Sequence, residues 1–247
     1  MTTATPAQAR SRPTPPLFYV VMGFVALFAA LAGFTLTFFK PLSEGTFHAP
    51  PVIFLHAACA FGWVIVFAMQ PWLIRTRRKA MHRQLGLAAI GLAVGFALTA
   101  PFVAAYAAAR DYANGDGEVA ISSIPGTFSS ALIFIGLVIA GYLSRRDGGA
   151  HKRLMLLATI ALLWPAWFRF RHYFPSVPHP EIVFAIVLAD SLIVIAALRD
   201  LIVERRIHVV WLVGGTLLIA EHITEALLFD TAGWRVLAHA LYAPFAP

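Results

Sequence analysis

Several polar side chains, most of them able to carry charge or ligate metals, stand inside long apolar runs of this chain: His56, Gln70, Arg169, His172, Asp190, Glu221, His222 and Glu225. In hydrocarbon each ionisable group costs on the order of 2.5–3.5 kcal/mol, so each requires a partner or a task. His56 and His222 offer imidazole nitrogens, which suit iron, copper and zinc. Glu221 and Glu225 are one helical turn apart, and two carboxylates that close require a cation or a shared proton. Asp190 has no cation beside it in its own run. It is expected either to hydrogen-bond a hydroxyl such as Ser129, Ser130 or Thr159, or to relay protons.

Counting about 1.5 Å of rise per helical residue places His56 and His222 roughly 8–10 Å below one membrane surface. Glu221 shares that layer, with Glu225 and Arg169 slightly shallower, and three helices supply it. His56, Trp63, Phe67 and Gln70 form one helical stripe, and Trp211, Leu218, His222 and Glu225 form another. Three readings fit. Arg169 or Arg171 locks the carboxylates; or His56, His222, Glu221 and Glu225 hold a metal or haem; or Asp190 and Arg169 belong to a proton or ion path.

A second histidine pair lies where basic loops meet apolar runs. Met81-His82-Arg83-Gln84-Leu85-Gly86 follows the basic stretch 75–79, and His151-Lys152-Arg153-Leu154-Met155 follows Arg145 and Arg146. One reading is a polar helix start beside topogenic charge. The other is that His82 and His151 face one another across the leaflet.

The scaffold for these groups must be one that lipid tolerates. Sixty per cent of the 247 residues are hydrophobic and 13% are charged, too apolar for a soluble domain of this length. Apolar runs cover 17–39, 51–74, 84–109, 124–143, 154–174, 182–198 and 209–229, each near the ~20 residues that cross a bilayer. The expected fold is all-α, a polytopic membrane bundle of seven transmembrane helices over 17–229. A disordered cytoplasmic tail is expected over 1–16, poor in large apolar groups. Within the outer-face tail 230–247, a short interfacial helix is expected over 232–242, with Trp234, Leu237 and Leu241 on one face. Gly91 and Gly95 form a small-residue stripe for close helix approach, and Pro165 is placed to kink the fifth helix.

Of the 19 Lys and Arg residues, only Lys40, Arg110, Arg169, Arg171 and Arg235 fall opposite the N-terminal tail. The positive-inside rule then puts the N-terminus in the cytoplasm and the C-terminus outside. The net charge of +7 lies in short loops beside these runs, which points to anionic lipid rather than nucleic acid. Cys59 is the only cysteine, which excludes an internal disulfide and a cysteine-based metal cluster. The chain has no P-loop, Gly-x-Ser-x-Gly or His-Glu-x-x-His motif. The loop 111–118 lacks the ligand spacing of a calcium-binding EF-hand. The absence of Lys from the apolar runs argues against a retinal Schiff base.

At His82-Arg-x-x-Gly86, preceded by His56 and Gln70 and followed by His151-x-Arg153-x-Met155, the chain resembles a group of uncharacterised bacterial multi-pass membrane proteins. The resemblance covers roughly residues 50–175 and implies a bacterial inner (cytoplasmic) membrane. In plan the chain is also similar to di-haem membrane cytochromes of the b561 type, which hold one haem near each leaflet between facing histidines. That similarity implies one haem between His56 and His222 and another between His82 and His151. The seven runs depart from the four-to-six-helix core of those cytochromes.

The leading reading is a membrane redox protein holding haem b, or another transition metal, through His56 and His222. Trp63, Phe67 and Trp211 would line the porphyrin. In a hydrolytic variant, Glu221 or Glu225 joins the histidines and activates water. The rival is a proton-coupled transporter using Asp190, Glu221, Glu225 and Arg169. A third reading is a non-catalytic subunit or assembly factor, with other membrane-complex subunits as partners besides the lipid bilayer.

Overall fold

The computed structural model describes residues 17–246, so the tail expected over 1–16 lies outside the described residues. Among the described residues every regular element is helical, and seven helices are long and apolar enough to cross a membrane. They are α1 (Phe18–Ser43), α2 (Pro51–Arg75), α3 (Lys79–Asp116), α4 (Glu118–Leu143), α5 (Gly148–His172), α6 (Pro180–Glu204) and α7 (Val210–Leu228). An eighth, α8 (Ala232–Tyr242), is too short to span. The chain is an all-α, multi-pass membrane protein. Helices are the expected solution because hydrocarbon supplies no water to satisfy backbone N–H and C=O groups, and a helix satisfies them within itself.

Each apolar run becomes a helix, and several helices overrun their apolar limits. α3 continues to Asp116 and α6 to Glu204, and Lys40, Lys79 and Lys152 consequently stand in terminal turns of spanning helices. Charge pairing permits the extension of α6. Its last turns carry Arg199, Asp200 and Glu204, which pair with one another and with Arg153 on α5.

α5 is the central helix. Over half of its apolar window is buried, against 28–39% in the other six. Small residues make this possible. Gly33 on α1 lies directly on the backbone of Ala166, and a Cβ at Gly23 would stand 2.8 Å from the Ala68 Cα on α2. Of the stripe read on α3, Gly95 fits against Cys59 on α2, whereas Gly91 faces open space. Around α5 the core is filled by Trp63, Phe134, Leu156, Leu157, Ile160, Leu163 and Trp211.

The basic loops gather at one end of the bundle, here the basic end, with the opposite end as the far end. At the basic end Asp147 caps α5, accepting from the backbone N–H of Gly149 at 2.8 Å and of Ala150 at 3.2 Å. Those bonds hold its carboxyl below the usual carboxylate range. One turn on, the fully buried Arg153 forks onto Asp200, with Nε at 2.6 Å and Nη2 at 2.9 Å. Trp211 on α7 donates to the same carboxylate at 2.9 Å, and Arg153 also reaches Glu204 at 2.6 Å. One guanidinium thus ties three helices.

At the far end α8 folds back on α4. Trp234 donates its indole N–H to the Ser122 carbonyl at 2.8 Å, and Ser122 donates to Asp230 at 2.7 Å. Arg235 donates to Asp230 at 2.8 Å. Part of the face expected to lie along the membrane surface is therefore turned against the bundle. The Arg235 guanidinium, with the Ser122 hydroxyl, holds the Asp230 carboxyl below the usual carboxylate pKa range.

Two outcomes are expected. Arg153→Met strands Asp200 beside a single remaining cation and should cost about 3–5 kcal/mol, read as thermal unfolding in detergent. Adding Asp200→Asn should recover part of that loss, because the stranded charge is removed. Since the folded value of Asp230 is depressed, its tether holds above the ordinary carboxylate value and weakens as pH falls through the lower folded one. Trp234 emission should report release of α8 there, and Asp230→Asn should release it at every pH.

Candidate functional site

A buried carboxylate–imidazole pair in the far half of the bundle joins α6 to α7. His222 Nδ1 lies 2.9 Å from Asp190 Oδ1, and both side chains are more than nine-tenths buried. His222 Nε2 lies 3.7 Å from Glu221 Oε2. Asp190 Oδ2, His222 Nε2 and Glu221 Oε2 are buried without a hydrogen-bond partner. The indole of Trp164 on α5 lies beside the imidazole, ring centres 6.4 Å apart. One turn beyond, Glu225 packs directly on Gly126 of α4, where any larger residue would displace the carboxylate.

Local helix geometry explains this meeting. α6 passes through a π-helical stretch, Val183–Leu188, just before Asp190, and α7 opens with another, Val210–Gly215. A wider turn carries an extra residue and rotates the face that follows. Uniform α-helical counting therefore left Asp190 alone near the midplane, while the folded chain gives it His222. Hydroxyl partners for Asp190 are corrected accordingly, and Thr159 instead accepts the Trp63 indole N–H at 3.1 Å.

Grooves flank the dyad on the outside of the bundle. One of about 400 Å³ is lined by Asp190, Ser191 and apolar residues of α6 with Ile219 of α7. The second, of about 560 Å³, lies among α4, α7 and α8 and is lined by Glu221, Thr224, Glu225, Ser129 and Trp234 among apolar side chains. Val187, Leu132 and Leu217 on their rims are strongly exposed, so both grooves open toward lipid.

The remaining far-end candidates stand apart from this group. His56 Nδ1 lies 2.9 Å from the Thr99 hydroxyl, which itself donates to the Gly95 carbonyl at 2.7 Å. The imidazole therefore donates to Thr99 through Nδ1 and retains its Nε2 lone pair, with Phe96 stacked on the ring at 4.4 Å. Arg169 donates to the Thr37 hydroxyl and the Pro165 carbonyl, and lies over the Phe34 ring. Arg171 caps the Phe168 carbonyl. These arginines are engaged by α1 and α5, so the lock on Glu221 and Glu225 expected from them is replaced by other contacts. Among the described residues, no three His, Cys, Asp or Glu side chains converge as a metal-binding group. Of the set His56, His222, Glu221 and Glu225, Glu221 and His222 stand together with Oε2 and Nε2 3.7 Å apart, while His56 is held by Thr99 of α3.

At the basic end, His82 on the first turn of α3 and His151 on the first turn of α5 do meet. Their ring centres are 6.3 Å apart and the planes cross at 82°. At the same end stands the Arg153–Asp200–Trp211 network. In the sequence, Arg153 and Arg199 look like charges that flank apolar runs. The available signal was Asp200 and Glu204, two acids one turn apart among the basic residues 199–206.

Comparison of the chain with protein-family models, with characterised proteins and with solved structures finds no match in any of the three.

Removing the carboxylate leaves the imidazole N–H without an acceptor. Asp190→Ala should therefore cost about 1–3 kcal/mol in detergent unfolding. Asp190→Asn, which keeps an acceptor oxygen, should cost less.

Proposed function

We propose that the protein transfers protons within the membrane through Asp190, His222, Glu221 and Glu225, as a proton path that runs between the lipid-facing grooves. The observation that carries this reading is the buried Asp190–His222 hydrogen bond, whose outward atoms have no partner. Neutral imidazole donates from Nδ1 to the carboxylate and keeps a lone pair on Nε2. A proton arriving at Nε2 from Glu221 forms an imidazolium that the Asp190 charge stabilises. Passing the Nδ1 proton to Asp190 then restores a neutral ring in the other tautomer. The proton has crossed from the α7 side of the seam to the α6 side, where Asp190 releases it into the α6 groove, and a flip of the imidazole turns its N–H back toward the carboxylate. Histidine suits this task because both of its nitrogens handle protons near neutral pH.

The surroundings of His56 and His222 favour separate roles over a shared haem. Each imidazole is held by a different helix, α3 for His56 and α6 for His222. The positive-inside rule supports placing the basic end in the cytoplasm, and the resemblance over residues 50–175 supports a bacterial inner membrane.

Vesicles containing the purified protein and an internal pH dye test this reading. An imposed potential should drive proton entry faster than in empty vesicles, and both His222→Ala and Asp190→Asn should lower that rate at least tenfold. Flux equal to that of empty vesicles, under either polarity, counts against proton transfer. Flux retained by both variants counts against this relay.

A further inference from the structure

The basic end holds a second built polar group that the proton relay does not use. His151 Nδ1 lies 2.8 Å from the Gly141 carbonyl of α4, so the ring must donate there and its lone pair is left on Nε2. His82 Nδ1 is buried without a partner. Both amide atoms of the Gln70 side chain are also buried and unpartnered. That amide lies over Gly86, one turn beyond His82, where its nitrogen would stand 3.7 Å from a Cβ. Met155, one turn beyond His151, packs its thioether on Gly141. Three helices thus bring two imidazoles, an amide and a thioether to one place beneath the basic loops.

His151 has Nδ1 fixed by a hydrogen bond and a free Nε2, and His82 presents a buried Nδ1 that no protein group meets. Metal-ligating histidines are oriented as His151 is, by a hydrogen bond to the nitrogen that does not bind metal. The ring spacing agrees. Two imidazoles on opposite sides of one metal, each at ~2.0–2.1 Å, have ring centres roughly 6 Å apart, against the observed 6.3 Å. The nearly perpendicular planes are compatible with such trans ligation.

We propose that His82 and His151 ligate one transition-metal centre at the basic end of the bundle. Gln70 and Met155 stand as its neighbouring donors. The shared chemistry is bis-imidazole ligation, and the centre is either a free copper, zinc or iron ion or the iron of a haem. This site is independent of the proton relay, and its test does not read proton flux.

The test is full-length protein purified through a tag without histidines, from cells supplied with iron, copper, zinc and haem precursor. Metal analysis and oxidised and dithionite-reduced visible spectra are taken on the same sample. The expected result is about one metal per chain. A Soret band that shifts on reduction identifies haem, and bound metal without that band identifies a free ion. His82→Ala and His151→Ala should each lower the bound metal at least fivefold, while the exposed-site variant His179→Ala leaves it unchanged. His151→Gln, with size-exclusion profile and melting temperature read alongside, separates lost ligation from lost fold. Metal-free, colourless wild-type protein overturns the proposal. So does metal that stays bound in well-folded His82 and His151 variants.

Discussion

The Arg153–Asp200 pair is the contact on which the arrangement of α5, α6 and α7 depends. In a bundle surrounded by hydrocarbon, apolar packing discriminates weakly between one helix register and another, because lipid tails are as apolar as leucine. A buried guanidinium is different, since it has a fixed fork and tolerates only positions where its donors are met. Arg153 meets Asp200 and Glu204 from α6 and the Gly149 carbonyl of its own helix, while Trp211 brings α7 to the same carboxylate. Such a pair adds little net stability over an apolar replacement. Its effect is to leave one rotation and one depth at which these helices fit. The depth of His222 relative to Asp190 follows from that setting.

The two histidine-bearing groups sit at different depths and on different helices. The far group belongs to α6 and α7, is almost wholly carboxylate and imidazole, and borders grooves that open sideways. The basic-end group belongs to α2, α3 and α5 and combines imidazole with an amide and a thioether. Aromatic packing fills the space between, with Phe134 meeting both Trp63 and Phe96 edge-on. The Trp63 N–H is satisfied internally by Thr159. Protons and metal, on this reading, are handled in separate compartments of one bundle.

Much of the fold was legible in the chain because lipid imposes a simple code. Seven apolar runs became seven spanning helices, and the short stretch 232–242 became the one that does not span. Helix ends were harder to read, since a charge that ends an apolar run need not end a helix when its partner lies on a neighbour. Arg153 and Arg199 illustrate this: in sequence they look like loop charges, and in the fold they close an ion network. The residue types of the far site were also legible, because a carboxylate or imidazole at membrane depth stands out against alanine and leucine. Its pairings were not, because they turn on π-helical stretches that leave no periodic trace. His82 and His151 were easier, being the same motif at two equivalent helix starts on the same side.

The wide turn in α6 decides how that helix would answer a change in its length. Over Val183–Leu188 the helix holds one residue more than regular α-helix would, without breaking. Excising that residue would restore regular α-helix and swing the preceding segment by about 100° relative to everything that follows. The groups at the far end of α6 would then face a different neighbour, while Asp200 and Glu204 stayed at their posts. The anchor and the reactive carboxylate therefore lie on the same side of the irregularity, and the mouth of the helix lies on the other. Loss or gain of a single residue there would alter what approaches the grooves and would also move the buried Phe184 and Ala185, while the anchor stays in register.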